Sequence, residues 1–166
     1  MKKVDFVADK LFTMETVRQR VGQWRILGKK VSFTNGVFDI LHPGHIFSLS
    51  QAAREADYLV VGLNSDDSVR RLKGPGRPVN DQDARSLLLA SLVIVDAVVI
   101  FSDDTPLQLI EQVMPDVLVK GGDYTLDQIV GASEVMANGG RVVINPILEG
   151  FSTTGIIRQI RGGAGA

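Results

Sequence analysis

Apolar positions along the chain follow two different rhythms. Over residues 13–27, Val17, Val21, Trp24 and the pair Ile26–Leu27 recur at roughly helical spacing. Thr13 stands where an N-cap belongs, Glu15 falls in the first turn, and Gly28 ends the run, so the spacing predicts a helix. Residues 30–34, 58–63, 97–101, 116–120 and 141–144 are instead short and uniformly apolar, as expected of strands buried on both faces. Between them the pattern predicts helices over residues 43–56, 65–72, 81–91, 105–114, 131–137 and 153–160. Pro43-Gly44 opens the first of these, Pro115 closes the fourth, and Asn138-Gly139-Gly140 ends the fifth in a C-cap pattern. The segment KGPGRPVND, residues 73–81, predicts an exposed and mobile loop.

Strand and helix in alternation call for an α/β fold. The expectation is a Rossmann-like, doubly wound, five-stranded parallel sheet with helices on both faces. One domain is expected over residues 1–161, with 162–166 a flexible tail. In such sheets ligands sit beyond the carboxyl ends of the strands, where the strand order reverses. The loops that follow the strands therefore hold the candidate chemistry: NGVFDILHPGH, NSDDSVRRLKGPGRP, FSDDTP, KGGDY and NPILEGFSTTG.

Composition narrows the classes. Hydrophobic residues are 45% and charged residues 22% of the chain, which suits a soluble domain with a packed core. The formal net charge of -1 leaves no positive surplus to hold a nucleic-acid backbone. Cysteine is absent, which excludes disulfides and thiolate metal sites. The start MKKVDFVADK lacks the apolar stretch of a signal peptide. The longest apolar run, residues 87–101, is split by Asp96 and is short for a membrane span; it reads as the end of a buried helix followed by a buried strand. The expectation is a cytoplasmic protein with neither nucleic acid nor membrane as partner.

Both histidines of the chain fall in one stretch, TNGVFDILHPGH, as His42 and His45. Gly36 lies at the exit of the first strand and allows a close approach to the backbone. Pro43 and Gly44 lie near the start of a helix, where free amides and the helix dipole favour an anion. Two imidazoles at that place add donors. The arrangement reads as a triphosphate site without a Walker A lysine, since no G-x-x-x-x-G-K-[ST] occurs. Three other uses of the histidines compete: a metal pair completed by Asp39, structural caps, and a general base.

The segments His42-Pro43-Gly44-His45 and Thr34-Asn35-Gly36-Val37-Phe38-Asp39, with Ser152-Thr153-Thr154 before the last helix, resemble the H-x-G-H nucleotidyltransferase superfamily. NSDDSVRRLKGPGRPVN, VKGGDY and EVMANGGRVV extend the resemblance to the domain that adenylylates D-glycero-D-manno-heptose 1-phosphate. The resemblance implies transfer of AMP from ATP, with ADP-heptose and pyrophosphate as products, for lipopolysaccharide core synthesis. It implies Mg²⁺ held mainly through phosphates, a homodimer, and a separately encoded sugar kinase, because many such domains are fused to one. By the same resemblance His42, His45, Lys73 and Arg77 are the catalytic residues. Nucleotide contacts fall to Thr34, Asn35, Gly36, Val37, Phe38, Asp39, Gly44, Lys120, Gly121, Gly122, Asp123, Ser152, Thr153 and Thr154. Lys10, Asn64, Asp66, Arg85 and Arg158 are further substrate contacts. Val37 stands where heptose enzymes often carry cysteine. Ile147-Leu148-Glu149-Gly150 lacks the arginine that glycerol-phosphate cytidylyltransferases place there, which counts against CTP. The same chemistry with another acceptor or nucleotide (glycerol 3-phosphate or ethanolamine phosphate, CTP or GTP), and a nucleotide-binding module without turnover, are the alternatives.

Overall fold

The computed structural model describes residues 6–162. The strands are β1 (Leu11–Phe12), β2 (Val31–Gly36), β3 (Tyr58–Asn64), β4 (Ala97–Phe101), β5 (Val117–Gly121) and β6 (Arg141–Asn145). They form one sheet in the order β1-β4-β3-β2-β5-β6, and every pairing is parallel. The sheet thus has six strands rather than the expected five. The extra one, β1, is a two-residue edge strand beside Val98 and Val99, too short to leave a periodic signal. The helices are α1 (Met14–Ile26), α2 (Pro43–Ala53), α3 (Asp66–Lys73), α4 (Gln82–Ala90), α5 (Leu107–Val113), α6 (Ala132–Ala137) and α7 (Thr153–Gly162). Gly162 ends α7, and the rest of the expected tail lies outside the described residues.

Two apolar layers hold the sheet. On one face Val17, Val21 and Trp24 of α1 pack with Phe33, Leu118 and the buried residues of α5 and α6. On the other, Leu49 and Ala52 of α2 and Leu89 and Ala90 of α4 pack on Leu59, Val61, Leu63 and Val119. Burial on both faces explains why the strands read as apolar runs instead of alternating. Thr13 caps α1 as expected, accepting from the Thr16 amide at 3.2 Å, while the Thr16 hydroxyl oxygen accepts from the Thr13 amide at 2.8 Å. Trp24 stacks on Tyr58 with ring centroids 4.2 Å apart.

Carboxylates tie the amino ends of the strands. Asp57 accepts from the Lys30 amide at 2.9 Å, Asp96 from the Leu59 amide at 2.8 Å, and Asp116 from the Val31 amide at 2.9 Å. Two of these bonds satisfy strand amides and the third the Lys30 amide just ahead of β2, at the sheet end where the ladder cannot. Asp96, the residue that splits the apolar run, is thus a sheet staple. No helix among the described residues is long and apolar enough to cross a membrane.

The chain leaves β2 for β3 and β4 on one side and returns to β5 and β6 on the other. The order reverses at the β2–β5 neighbours, so the carboxyl ends of these two strands open the crevice. Strand β2 runs two residues further than the pattern predicts. Asn35 and Gly36 pair with Gly62 and Leu63 and are the last rungs of the ladder, not a turn.

Candidate active site

At the β2–α2 junction, His42 is the N-cap of α2 and Pro43 its first residue. His42 Nδ1 accepts from the His45 amide at 3.3 Å, which fixes the ring over the helix start. The two imidazoles stack, with centroids 3.8 Å apart and planes 18° from parallel. Phe151 lies nearly parallel to His42 at 6.4 Å, and Phe38 meets His45 edge-on at 5.3 Å. A side chain on Gly44 would come within 3.0 Å of the His42 ring and 3.2 Å of Phe151, so only glycine leaves the stack intact. Gly36 plays a related part: its Cβ would stand 3.0 Å from the Phe38 ring, so the group that approaches this backbone closely is Phe38.

Burial, aided by the charge that His42 would carry, pushes the His45 imidazole down to about 4. Burial also lowers His42 below the ordinary range. Both rings are therefore neutral near pH 7, and each offers one N–H. His45 Nδ1 is buried and makes no hydrogen bond within the described residues.

Asp39, 1% exposed, lies under the loop that follows α3. It accepts from the Val79 amide at 2.8 Å, the Asn80 amide at 3.0 Å and Arg77 Nε at 2.7 Å. Burial alone would raise this carboxyl; the Asn80 and Val79 amides and the Arg77 guanidinium outweigh it and hold it below the usual range. Asn80 Nδ2 also donates to the Asp39 carbonyl at 2.9 Å. The segment expected to be a free loop is thus pinned at its far end, and Arg77 is aimed across the histidines. Asp39 anchors this loop with its oxygens engaged. Among the described residues no three His, Cys, Asp or Glu side chains converge on a metal position.

Two adjoining cavities meet at the histidines. One, of about 330 Å³, lies between the ends of β2 and β5; Thr34, Asn35, Gly36 and Val37 form one wall, and Lys120 and Gly121 the other. Lys120 Nζ donates to Asn35 Oδ1 at 3.3 Å, and burial lowers its pKa. The second, of about 380 Å³, runs from Asp39, His42 and His45 to Lys73 and Arg77, with Ser152, Thr153 and Thr154 opposite. Ser152 Oγ caps α7 by accepting from the Gly155 amide at 3.0 Å. Capping uses only this one of the three hydroxyls, so Thr153 and Thr154 are left to line the cavity. Arg158 lies one turn along α7, in a groove with Lys73 and Arg77.

Several expected contacts stand elsewhere. Lys10 Nζ donates to the Leu92 carbonyl at 3.0 Å, ahead of β4 and therefore at the amino end of the sheet, away from the cleft. Arg85 is fully buried: its guanidinium holds the Val37 carbonyl at 2.7 Å, the Asn64 carbonyl at 2.8 Å, the Asn80 carbonyl at 3.0 Å and Asp66 at 2.7 Å. It is a strut beneath the site, and it engages Asp66. Asn64 is buried and donates to Ser68. Gly122, at φ 121°, turns the chain after β5, and Asp123 is exposed; neither lines the cleft, whereas Tyr124 does. The structure adds Ser48, Ile147, Leu148 and Phe151 to the lining. Ser48 was accessible to helical spacing, three residues after His45. Tyr124 and Phe151 adjoin quoted motifs but match no chemical pattern by themselves.

The fold and this crevice define a Rossmann-like α/β domain with its main cavity at the β2–β5 switch point. Residues 33–159 match the cytidylyltransferase-like family, and the chain belongs to it. It is 54% identical over 155 residues to the bifunctional protein HldE of Rhodospirillum rubrum, covering 93% of this chain and 31% of that protein. To the HldE of Nitrobacter hamburgensis it is 57% identical over 146 residues, covering 88% of this chain and 30% of that one. The chain thus spans about a third of the length of these relatives. Among solved structures it resembles a lipopolysaccharide core biosynthesis protein from Thermoplasma volcanium, with a TM-score of 0.59 and 31% identity, covering 73% of this chain and 98% of that one. A pantoate-beta-alanine ligase from Francisella tularensis, 14% identical, shares the fold with a TM-score of 0.58 over 91% of this chain and 76% of its own.

Proposed function

We propose that the chain transfers AMP from ATP to D-glycero-D-manno-heptose 1-phosphate, releasing ADP-heptose and pyrophosphate for lipopolysaccharide core synthesis in the cytoplasm. The observation that carries the reading is the stacked pair His42–His45 at the start of α2, facing Lys73, Arg77 and the Ser152–Thr154 turn across one cavity. The identity to HldE proteins and the likeness to a lipopolysaccharide core biosynthesis protein support the acceptor.

The sugar phosphate oxygen is already anionic at pH 7, so it attacks without a covalent enzyme intermediate. A bond forms between that oxygen and the α-phosphorus, the bond from α-phosphorus to the β-bridging oxygen breaks, and pyrophosphate leaves with the electron pair. Catalysis is then positioning and charge stabilisation. The N–H groups of His42 and His45 hold the phosphates and the charge that grows on them. Lys73 and Arg77 neutralise from the loop. Thr153, Thr154 and the free amides of α7 take the β and γ phosphates. The nucleoside lies in the first cavity, against Gly121 and between Lys120 and Tyr124, whose ammonium and ring stand 5.7 Å apart. Among the described residues Asp39 is the one carboxylate that lines these cavities, and it is engaged, so Mg²⁺ would be held mainly through the phosphates and would supply further neutralisation. A sugar kinase supplies the 1-phosphate, and the working form is a homodimer.

Pyrophosphate release tests the assignment, with ATP, CTP and GTP crossed against heptose 1-phosphate, glycerol 3-phosphate and ethanolamine phosphate. Turnover confined to ATP with heptose 1-phosphate is expected. Turnover with another pair keeps the chemistry and removes the acceptor; ATP binding without turnover by any pair makes the chain a binding module.

A further inference from the structure

Outside the second apolar layer, α2 packs on β2 and β3 and α4 on β3 and β4, so the two helices are neighbours on one face of the sheet. Their outer sides lack charge. No Asp, Glu, Lys or Arg occurs in residues 43–53, which form α2, or in residues 86–95, which run from the middle of α4 toward β4. Charged residues are 22% of the chain, so about four or five would be ordinary in segments of this combined length. The chain itself does not bury this face: Leu87 is 53% exposed, Leu88 45% and Ile46 38%. Ile46 also lines an open hollow of about 470 Å³ with Leu41, Pro43 and His42. A solvated helix carries charged and polar residues outward, and an apolar patch in their place marks a contact surface.

We infer that a second copy of the chain docks on this α2–α4 face about a two-fold axis. Charge selects the occupant. Near such an axis each side chain meets its own copy, so a charge there faces a like charge. A face without charges escapes that repulsion and is complementary to itself. The exposed pair Ile26–Leu27 at the end of α1 differs in this respect, because Arg25, Lys29 and Lys30 flank it. Other occupants fit the α2–α4 face worse. A nucleic acid needs cations, and a helix lying on a membrane surface carries Lys and Arg beside its apolar side. The nearest charges in the chain, Asp83 one turn before Leu87 and Arg54 at the end of α2, suit the polar rim of a protein contact. The inference rests on the proposed homodimer and gives it a surface. Because His42 lines the hollow, that surface borders the candidate site.

Sedimentation equilibrium on the full chain tests the face without turnover. Wild type should sediment at twice the 18.0 kDa of the chain. Leu87→Glu and Leu88→Glu each place a carboxylate on the face in both copies, and each should weaken dimerisation roughly tenfold or more. Ile26→Glu, on α1 across the sheet, should leave the dimer unchanged. All three side chains are exposed, so each variant should keep the circular dichroism spectrum of wild type; Leu88→Glu decides the matter if Leu87→Glu fails to fold. A monomeric wild type overturns the inference, and flotation of that monomer with phosphatidylcholine vesicles would give the face to lipid. A dimer left intact by both α4 variants overturns it as well. If the dimer breaks at Leu87 while no substrate pair turns over, the surface stands and the proposed reaction falls.

Discussion

At the scale of single residues, position and hydrogen bonding set what each side chain can do. His42 and His45 are held by a helix cap and a ring stack, so on the proposed reading removing either leaves most nucleotide contacts in place. His42→Ala or His45→Ala should lower kcat by about 10²–10³, with the Kd for ATP changed by less than about fivefold. Equal losses in both would remove the transition-state role. The pH response follows from His45. An unfolded histidine takes up its proton near pH 6.5, whereas His45 in the fold does so only near 4. Between these values the unfolded chain binds the extra proton, so stability falls as pH drops from about 6.5 to about 4 and is level above. Urea midpoints across that range should show the slope, and His45→Gln should reduce it to the smaller part that the lowered His42 contributes. The depressed Asp39 carboxyl acts in a lower window: its contribution is present above the ordinary carboxylate pKa and is lost as pH falls through its own. Motif chemistry made the histidines and the Ser152–Thr154 turn legible in the sequence. Arg85 was not legible, because a buried strut and a phosphate ligand are the same residue type until its acceptors are seen.

At the scale of elements, the α3–α4 loop and the β2–α2 junction act together through Asp39. Asp39→Asn leaves Arg77 without its partner and two amides without a charged acceptor, at a cost of about 2 kcal/mol. Limited trypsin digestion should cut that variant at Lys73 or Arg77 faster than wild type; unchanged cleavage would dissociate the loop from Asp39. Strand β3 carries a second test. A Cβ on Gly62 would stand 2.8 Å from Phe33 Cζ and 3.1 Å from Leu109 Cδ2 inside the first apolar layer. Gly62→Ala should therefore destabilise by about 1–3 kcal/mol in urea unfolding. Periodicity revealed each α-helix and five strands, since both-face burial leaves an apolar run and one-face burial a helical stripe. It missed β1, whose two residues carry no period. It also treated KGPGRPVND as mobile, because glycine and proline signal a loop but not what the loop is fastened to.

Across the whole molecule, the two ends of the sheet carry different work. Asp57, Asp96 and Asp116 staple the amino ends of the strands, while Lys73, Arg77, Lys120 and Arg158 gather around the carboxyl-end crevice. The near-neutral net charge conceals the cationic cluster at the crevice, which is why composition alone pointed to no anionic ligand. Arg85 joins the two halves of the site from beneath, gripping the β2 and β3 ends and the loop at once. Arg85→Met should cost about 3–5 kcal/mol, since Asp66 and the carbonyls lose their donor in the interior. A thermal midpoint within a degree or two of wild type would refute the strut.

The measurement that bears most directly on the function is transfer of label from ATP labelled at the α-phosphate, with Mg²⁺ and heptose 1-phosphate. The label should appear in a nucleotide sugar, in step with pyrophosphate, and both should vanish in His45→Ala. Label that stays in ATP while the folded protein binds nucleotide, or that moves only with a different acceptor, would contradict the heptose-phosphate adenylyltransferase.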